Sequence, residues 1–294
     1  MDQSKAAIVF SFNDSVSVTR IASVLLRSGL DEIVFAMEDD PESLRFLAEI
    51  NDPRLKVSYS STRLGKPEAY NRAVKCIKSD LVFLLSSDIS FSEDIFDKIS
   101  DRISPESPGA LVKVSPSSNR VFMERVSTVM WDMRDIELEY YSKSGEMISG
   151  GEFLAIRRRF LNGMPDVIND DEYLCLRAQG RGGRLAYYND IMVENRVPDN
   201  LQDFLTQRRR VILGHMEMQN YGYSSPIKAF DRSHPGRTFR IFLEYVRRRR
   251  SLFYLMIAII LEAMTTILSL KDLKHGKATT MWDVAKSTKF MNRY

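Results

Sequence analysis

Four short stretches hold side chains whose type and spacing suit chemistry. Asp88 closes the apolar run Leu81–Ser86 and its Ser-Ser-Asp end; a carboxylate at a strand end can hold a divalent cation against diphosphate oxygens. The same three residues also read as ordinary turn or helix-cap chemistry. Gly65-Lys66-Pro67 stands at a helix start, where backbone N–H groups and the dipole favour an anion; a surface lysine ahead of a proline-started helix has the same look. Asp170-Asp171-Glu172 places three carboxylates in one helical first turn, either as acidic capping or as a general base with a neighbour that tunes it. Gln207-Arg208-Arg209-Arg210 offers forked donors to phosphate or sugar oxygens, or simply a basic helix face. Neither a P-loop nor a dinucleotide fingerprint is present, and Cys76, Cys175 and three separated histidines have no metal-ligand spacing.

The elements that must position these groups alternate. Ala7–Phe12, Glu32–Met37, Leu55–Tyr59 and Leu81–Ser86 read as strands, with helical periodicity over 15–28, near 42–50 and over 67–78. Such alternation predicts an α/β fold with a parallel sheet covered on both faces, and a ligand site at the carboxyl ends of the strands. Those ends are Ser11–Asp14, Glu38–Asp40 and Ser86–Asp88, all polar or acidic. Residues 104–165 read as irregular, apart from an amphipathic run over 119–141 and a strand at Phe153–Ile156 after Gly150-Gly151. From about residue 200 the pattern is helical.

The chain has 294 residues and 44% hydrophobic content, enough for one large domain and too polar for a polytopic transporter. Its net charge of +3 conceals a split. Residues 207–294 carry 17 basic and 6 acidic side chains, a balance of +11, while 1–206 carry 25 and 33, a balance of −8. A basic tail on an acidic body predicts an anionic partner, phospholipid or nucleic acid, and no DNA-binding motif accompanies it. Ser251–Leu270 is 20 mostly apolar residues with Glu262 near the middle and basic residues on both flanks. The reading that suits this best is a helix lying in a membrane interface, with a single span and a buried or oligomer-forming helix as alternatives. A strand begins within a few residues of Met1, so no signal peptide is expected and the chain is read as starting in the cytosol.

In their order along the chain, these pieces resemble the family 2 glycosyltransferases of the GT-A fold, over residues 6–215. Val9-Phe-Ser-Phe-Asn13-Asp14 is similar to the family's first strand and nucleotide loop, and Glu38-Asp39-Asp40 to its acidic pair at the second strand. Gly65-Lys66, Ala69 and Asn71 match its Gly-x-x-x-Ala-x-Asn helix start, Ser86-Ser87-Asp88 stands at Asp-x-Asp, and Asp170-Asp171 with Leu174 matches Glu-Asp-x-x-Leu. Gln207–Val211 is similar to Gln-x-x-Arg-Trp, and Trp282 with Thr288-Lys289 to a terminal Trp…Thr-Lys signature. Ser86 replaces the first aspartate of the metal motif, and Val211 replaces the tryptophan.

The resemblance implies a Rossmann-like mixed sheet flanked by helices over 1–222, followed by a helical membrane-associating region over 223–294. It implies an inverting hexosyl transfer from a nucleotide-diphosphate sugar, UDP-sugar by preference, to a hydroxyl of a glycan or lipid-linked acceptor at the cytosolic face of a membrane. Asp171 would be the base with Asp170 beside it, and Asp88 would hold Mg²⁺ or Mn²⁺. Ser11, Phe12, Asn13, Asp14, Asp39, Lys66, Asn71 and Asp88 would contact the nucleotide, and Gln207, Arg208, Arg209 and Arg210 the acceptor or diphosphate. A polyprenyl-phosphate sugar synthase and a non-catalytic sugar-nucleotide binder are the alternatives.

Overall fold

The computed structural model describes residues 3–223, 235–249, 251–275 and 286–288. Its strands are β1 (Lys5–Phe12), β2 (Glu32–Glu38), β3 (Leu55–Ser60), β4 (Leu81–Ser86), β5 (Ile89–Ser90), β6 (Gly109–Pro116), β7 (Phe153–Arg157) and β8 (Ala186–Asn195). The helices are α1 (Ser15–Arg27), α2 (Pro41–Ala48), α3 (Lys66–Val74), α4 (Ile95–Ser100), α5 (Phe122–Ser144), α6 (Asp170–Arg181), α7 (Leu201–Glu217), α8 (Pro235–Arg249) and α9 (Leu252–Lys274).

One sheet runs β3-β2-β1-β4-β7-β6-β8-β5. Its first four strands are mutually parallel, as βαβ alternation demands, whereas β7 is antiparallel to both β4 and β6. The fold is therefore α/β with a mixed sheet, and the purely parallel sheet expected from the alternation holds only for that half. Within the stretch that reads as irregular, the amphipathic run over 119–141 is α5 and the strand at Phe153–Ile156 is β7, while β6 is an added strand. No strand was expected at Ala186–Asn195, yet β8 runs parallel to β6 with a register shift between Val112 and Lys113.

Strand alternation divides the interior in two. Ala6 and Ile8 of β1 face a core shared with α3 and α6, and Ala7 and Val9 face one shared with α1 and α4. A third core joins α5, α7, α8 and α9 through Val126, Phe204, Ile241, Tyr245, Leu255 and Ala258. The C-terminal helices thus share a packed interior with helices of the sheet region. On α9 the buried residues are Leu255, Ala258, Glu262, Thr265, Ser269 and Asp272, which recur at three and four and so form one inward stripe. Phe253, Met256, Ile260, Met264, Ile267 and Leu270 lie on the opposite, exposed face. Among the described residues α9 is the one helix long and apolar enough to cross a membrane.

Candidate active site

Register brings the carboxyl ends of the parallel strands level: Phe12 is opposite Glu38 and Phe10 opposite Ser86. They floor a cleft of about 290 Å³, where the rule for open α/β sheets places a ligand. Ser11, Phe12, Glu38 and Asp88 line it from the strand ends, and Lys66, Asp170, Asp171, Gln207 and Arg210 from the helices. The Ser87–Ser90 turn that presents Asp88 is stapled by Arg20 of α1. The Arg20 guanidinium donates to the carbonyls of Ser87 (3.1 Å) and Ile89 (2.6 Å) and to Ser90 Oγ (2.8 Å).

Gly65 caps α3 with φ +100°, a conformation that favours glycine. The buried Glu38 carboxylate accepts the backbone N–H groups of Leu64 and Gly65 at 3.2 and 3.0 Å and so fixes this entry. Lys66 then reaches across to Asp170 at 2.7 Å. Burial opposes its charge, but Asp170 and Asp171 prevail and hold the ammonium above its ordinary range.

At the start of α6 three successive acids have three fates. Asp170 is the partner of Lys66. Glu172 is buried and bonds His215 Nδ1 of α7 at 2.6 Å and Asn169 Nδ2 at 3.1 Å. Asp171 points between them, against Gly151, where a Cβ would overlap its carboxylate. Burial pushes the Asp171 carboxyl up, but Lys66, Arg134 and Arg210 outweigh burial and hold it below the usual carboxylate range. Asp171 also lines a second cleft of about 180 Å³, with Trp131 and Arg134 of α5 and with Phe204, Arg210 and His215 of α7. An ionised carboxylate at the junction of two clefts can take a proton from a molecule in one while its attack is directed into the other.

The expected residues divide. Ser11, Phe12, Lys66, Asp88, Asp170, Asp171, Gln207 and Arg210 converge on the first cleft. Asn13 (φ +44°) and Asp39 (φ +49°) are exposed turn residues outside its lining. Asp14 caps α1 through Ser17 N–H, a local job that explains its aspartate. Asn71 spends both ends of its amide on the backbone of Met164, at 2.8 and 2.9 Å, and so bridges α3 to the loop ahead of α6 instead of facing the cleft. Arg208 and Arg209 pair with Glu262 and Asp272 of α9, yet Arg208 still lines the second cleft, Arg210 lines both clefts, and Arg209 lines neither. Trp282 and Lys289 lie outside the described residues, but Thr288 lines the cleft, and Ser287 N–H donates to Asp203 at the start of α7 (2.7 Å).

Sequence reasoning assigned no role to Arg63, Glu152 or Asn195 of the first cleft, nor to Arg134, Trp131 and His215 of the second. The Gly150-Gly151 pair was the one available signal, since adjacent glycines ahead of a strand mark close approach by another group. The donor set near Asp88 suits a hard divalent cation: the buried Ser11 Oγ and Ser87 Oγ have no hydrogen-bond partner, and both are oxygens. No group of three His, Cys, Asp or Glu that could hold a metal occurs among the described residues, so phosphate oxygens of a bound nucleotide would supply the remaining ligands.

The model of Glycosyl transferase family group 2 matches residues 81–279. An N-acetylglucosaminyltransferase of Rhizobium meliloti (strain 1021) is 24% identical over 234 residues, 69% of this chain and 53% of that protein. One of Rhizobium sp. (strain N33) is 25% identical over 182 residues, 54% of this chain and 39% of that protein. The chain spans about half the length, or less, of these curated relatives. Among solved structures, a mannosyltransferase from Pyrobaculum calidifontis in complex with GDP-Man and Mn²⁺ superimposes with TM-score 0.56 at 17% identity, over 94% of this chain and 80% of that one. Residues 1–349 of S. aureus TarS with UDP-GlcNAc give 0.51 at 14% identity, over 93% and 92%. These two likenesses establish the fold, and the family match covers most of the sequence from β4 to beyond α9. The chain belongs to glycosyl transferase family group 2 and has its GT-A fold.

Proposed function

We propose that the chain is an inverting hexosyltransferase that moves a sugar from a UDP-sugar to a hydroxyl of a glycan or lipid-linked acceptor. The observation that carries this is the Asp171 carboxylate, held ionised by Lys66, Arg134 and Arg210 where two clefts meet. The donor occupies the first cleft and the acceptor the second. Asp171 takes the acceptor proton as the hydroxyl attacks the anomeric carbon, and the sugar inverts because attack and departure lie on opposite faces. Lys66 and Arg210 offset the charge of the departing diphosphate. Asp88, with the Ser11 and Ser87 hydroxyls, would hold Mg²⁺ or Mn²⁺, which stabilises a leaving diphosphate as a Lewis acid. The first donor to test is UDP-GlcNAc, because both curated relatives are named N-acetylglucosaminyltransferases and the TarS structure holds that molecule.

The work surface proposed is an anionic membrane at its cytosolic face. The outward stripe of α9 is apolar, and Arg247, Lys271 and Lys274 at its margins are exposed. Its inward stripe is tied by Glu262 and Asp272 to α7. A helix lying in the interface keeps those pairs, whereas a span would strip them into hydrocarbon at a cost of several kcal/mol. On this reading the region 223–294 is a membrane-facing appendage built onto the 1–222 transferase domain.

The experiment is transfer from UDP-GlcNAc, UDP-Glc and GDP-Man, with and without Mn²⁺, to chitooligosaccharide and polyprenyl-phosphate acceptors, with the product anomer read by NMR. Inverted product on a hydroxyl, lost in Asp171→Asn, is expected. Transfer to phosphate that survives Asp171→Asn would make the protein a lipid-phosphate sugar synthase. Nucleotide binding with neither transfer nor donor hydrolysis would make it a sugar-nucleotide binder.

A further inference from the structure

Asn195 ends β8 in the first cleft. It is 7% exposed, and its Oδ1 is buried without a hydrogen-bond partner. Leaving such an oxygen unsatisfied costs about 1–3 kcal/mol, so its position calls for a ligand. Antiparallel pairing sets Asn195 directly opposite Ile89, the residue after Asp88, and both Asn195 and Asp88 line the cleft. Ser87 Oγ, 1% exposed and unpartnered, belongs to the same turn. The end of β8 and the turn between β4 and β5 thus bring a carboxylate, a hydroxyl and an amide oxygen to one cleft.

An amide oxygen can be satisfied only by a donor hydrogen or by a cation. The ionised diphosphate of a nucleotide has only acceptors, so it would be repelled by Asn195 Oδ1 rather than bound. A hard divalent cation takes carboxylate, amide and hydroxyl oxygens together. Ser86, two residues before Asp88, lines the same cleft and brings a hydroxyl rather than a second carboxylate to that strand end.

We propose that Asn195 Oδ1 joins the Asp88 carboxylate as a protein ligand of the divalent cation, so that β8 supplies the oxygen that the residue at position 86 does not. The proposal rests on the nucleotide-sugar reading of the cleft. It makes a neutral amide the second ligand, which lowers the fixed negative charge of the site. The cation should therefore bind weakly alone and much more firmly once diphosphate oxygens complete its shell.

The test is titration of the full chain with Mn²⁺, followed by the EPR signal of the free ion, without nucleotide and at saturating UDP. Asn195→Ala should weaken Mn²⁺ binding by roughly 10–100-fold while UDP binding without metal stays as in the parent. Asn195→Asp keeps the shape and adds a charge, and it should tighten Mn²⁺ binding without UDP by about tenfold or more. It also covers the case in which the alanine variant fails to fold. Unchanged Mn²⁺ affinity in a folded Asn195→Ala protein, or no tightening in Asn195→Asp, overturns the proposal. So does a loss confined to UDP-GlcNAc with Mn²⁺–UDP intact, which would assign Asn195 to a sugar hydroxyl. If the parent chain binds Mn²⁺ but no nucleotide, the donor reading fails separately, and the metal titrations alone still rank the three proteins.

Discussion

The Arg208 guanidinium of α7 meets both carboxylate oxygens of Glu262 on α9, Nε at 2.9 Å and Nη2 at 2.5 Å. The pair is mostly buried, with side chains 18% and 8% exposed, and two turns and more along α9 Asp272 repeats it with Arg209. These contacts explain a carboxylate in the middle of an apolar run, and they leave Arg210 free to face the cleft. Glu262→Gln should destabilise the fold by roughly 3–5 kcal/mol, because it strands a buried guanidinium. Replacing both partners by methionine should recover most of that loss. Urea unfolding of the two singles and the double measures it, and a double mutant as unstable as the sum of the singles would show that the two residues act independently.

Asp171→Asn retains shape and hydrogen-bonding oxygen but cannot take a proton. Transfer should fall about 10²–10⁴-fold with nucleotide binding unchanged. Because its neighbours hold the Asp171 pKa below the ordinary aspartate range, the acid limb of the pH–rate profile should lie below the pH at which an ordinary aspartate titrates. Removing one of those cations with Arg210→Gln should move that limb upward. The sign for stability follows from linkage: a carboxyl depressed in the folded state stabilises the fold above its unfolded value, and that contribution is lost as pH falls through the folded value. An acid limb that does not move in Arg210→Gln would detach Arg210 from the base.

Gly151 faces the Asp171 carboxylate so closely that any Cβ would displace it. Gly151→Ala should therefore depress kcat far more than donor affinity, with a fall of at least about tenfold expected for a misplaced base. At Gly163 an added Cβ would meet no atom within 4 Å, so it is the control position, and alanine there should leave turnover unchanged. Equal kinetics for the two variants would mean that the Asp171 carboxylate is not held where the structure has it.

Legibility in the sequence tracked how local each feature is. The strand–helix alternation through Ser86 is written in short apolar runs with polar ends, and the observed β1 to β4 begin and end within a few residues of the patterns. By contrast β8 alternates buried with exposed residues along only part of its length and includes Asn189 and Asp190, so its strand character comes from pairing with β6. The acidic triple at the start of α6 announced a site, but not which acid was spent on Lys66 and which on His215. The ion pairs of Arg208 and Arg209 could not be read from the sequence, because their partners lie 54 and 63 residues away. The isolated Glu262 was the missed signal, since a carboxylate in an apolar helix implies a cation packed against it.

The outward face of α9 yields a prediction that keeps the fold intact. Removing α8 and α9 would expose Val126 and Phe204, so truncation confuses membrane binding with unfolding. Met256 and Ile260 are 53% and 60% exposed on the apolar stripe, one turn apart. Met256→Glu with Ile260→Glu should leave urea unfolding close to the parent, since neither side chain belongs to the inward stripe. Flotation with vesicles of phosphatidylcholine and phosphatidylglycerol should capture the parent at low salt, release much of it at high salt, and fail for the variant. Pure phosphatidylcholine should capture little, because the apolar stripe then acts without the exposed Arg247, Lys271 and Lys274 against anionic headgroups. Capture that resists salt and needs detergent to reverse would mean that α9 leaves α7 and spans. A parent that ignores vesicles but forms a dimer broken by the same two changes would assign the stripe to a second copy of the chain.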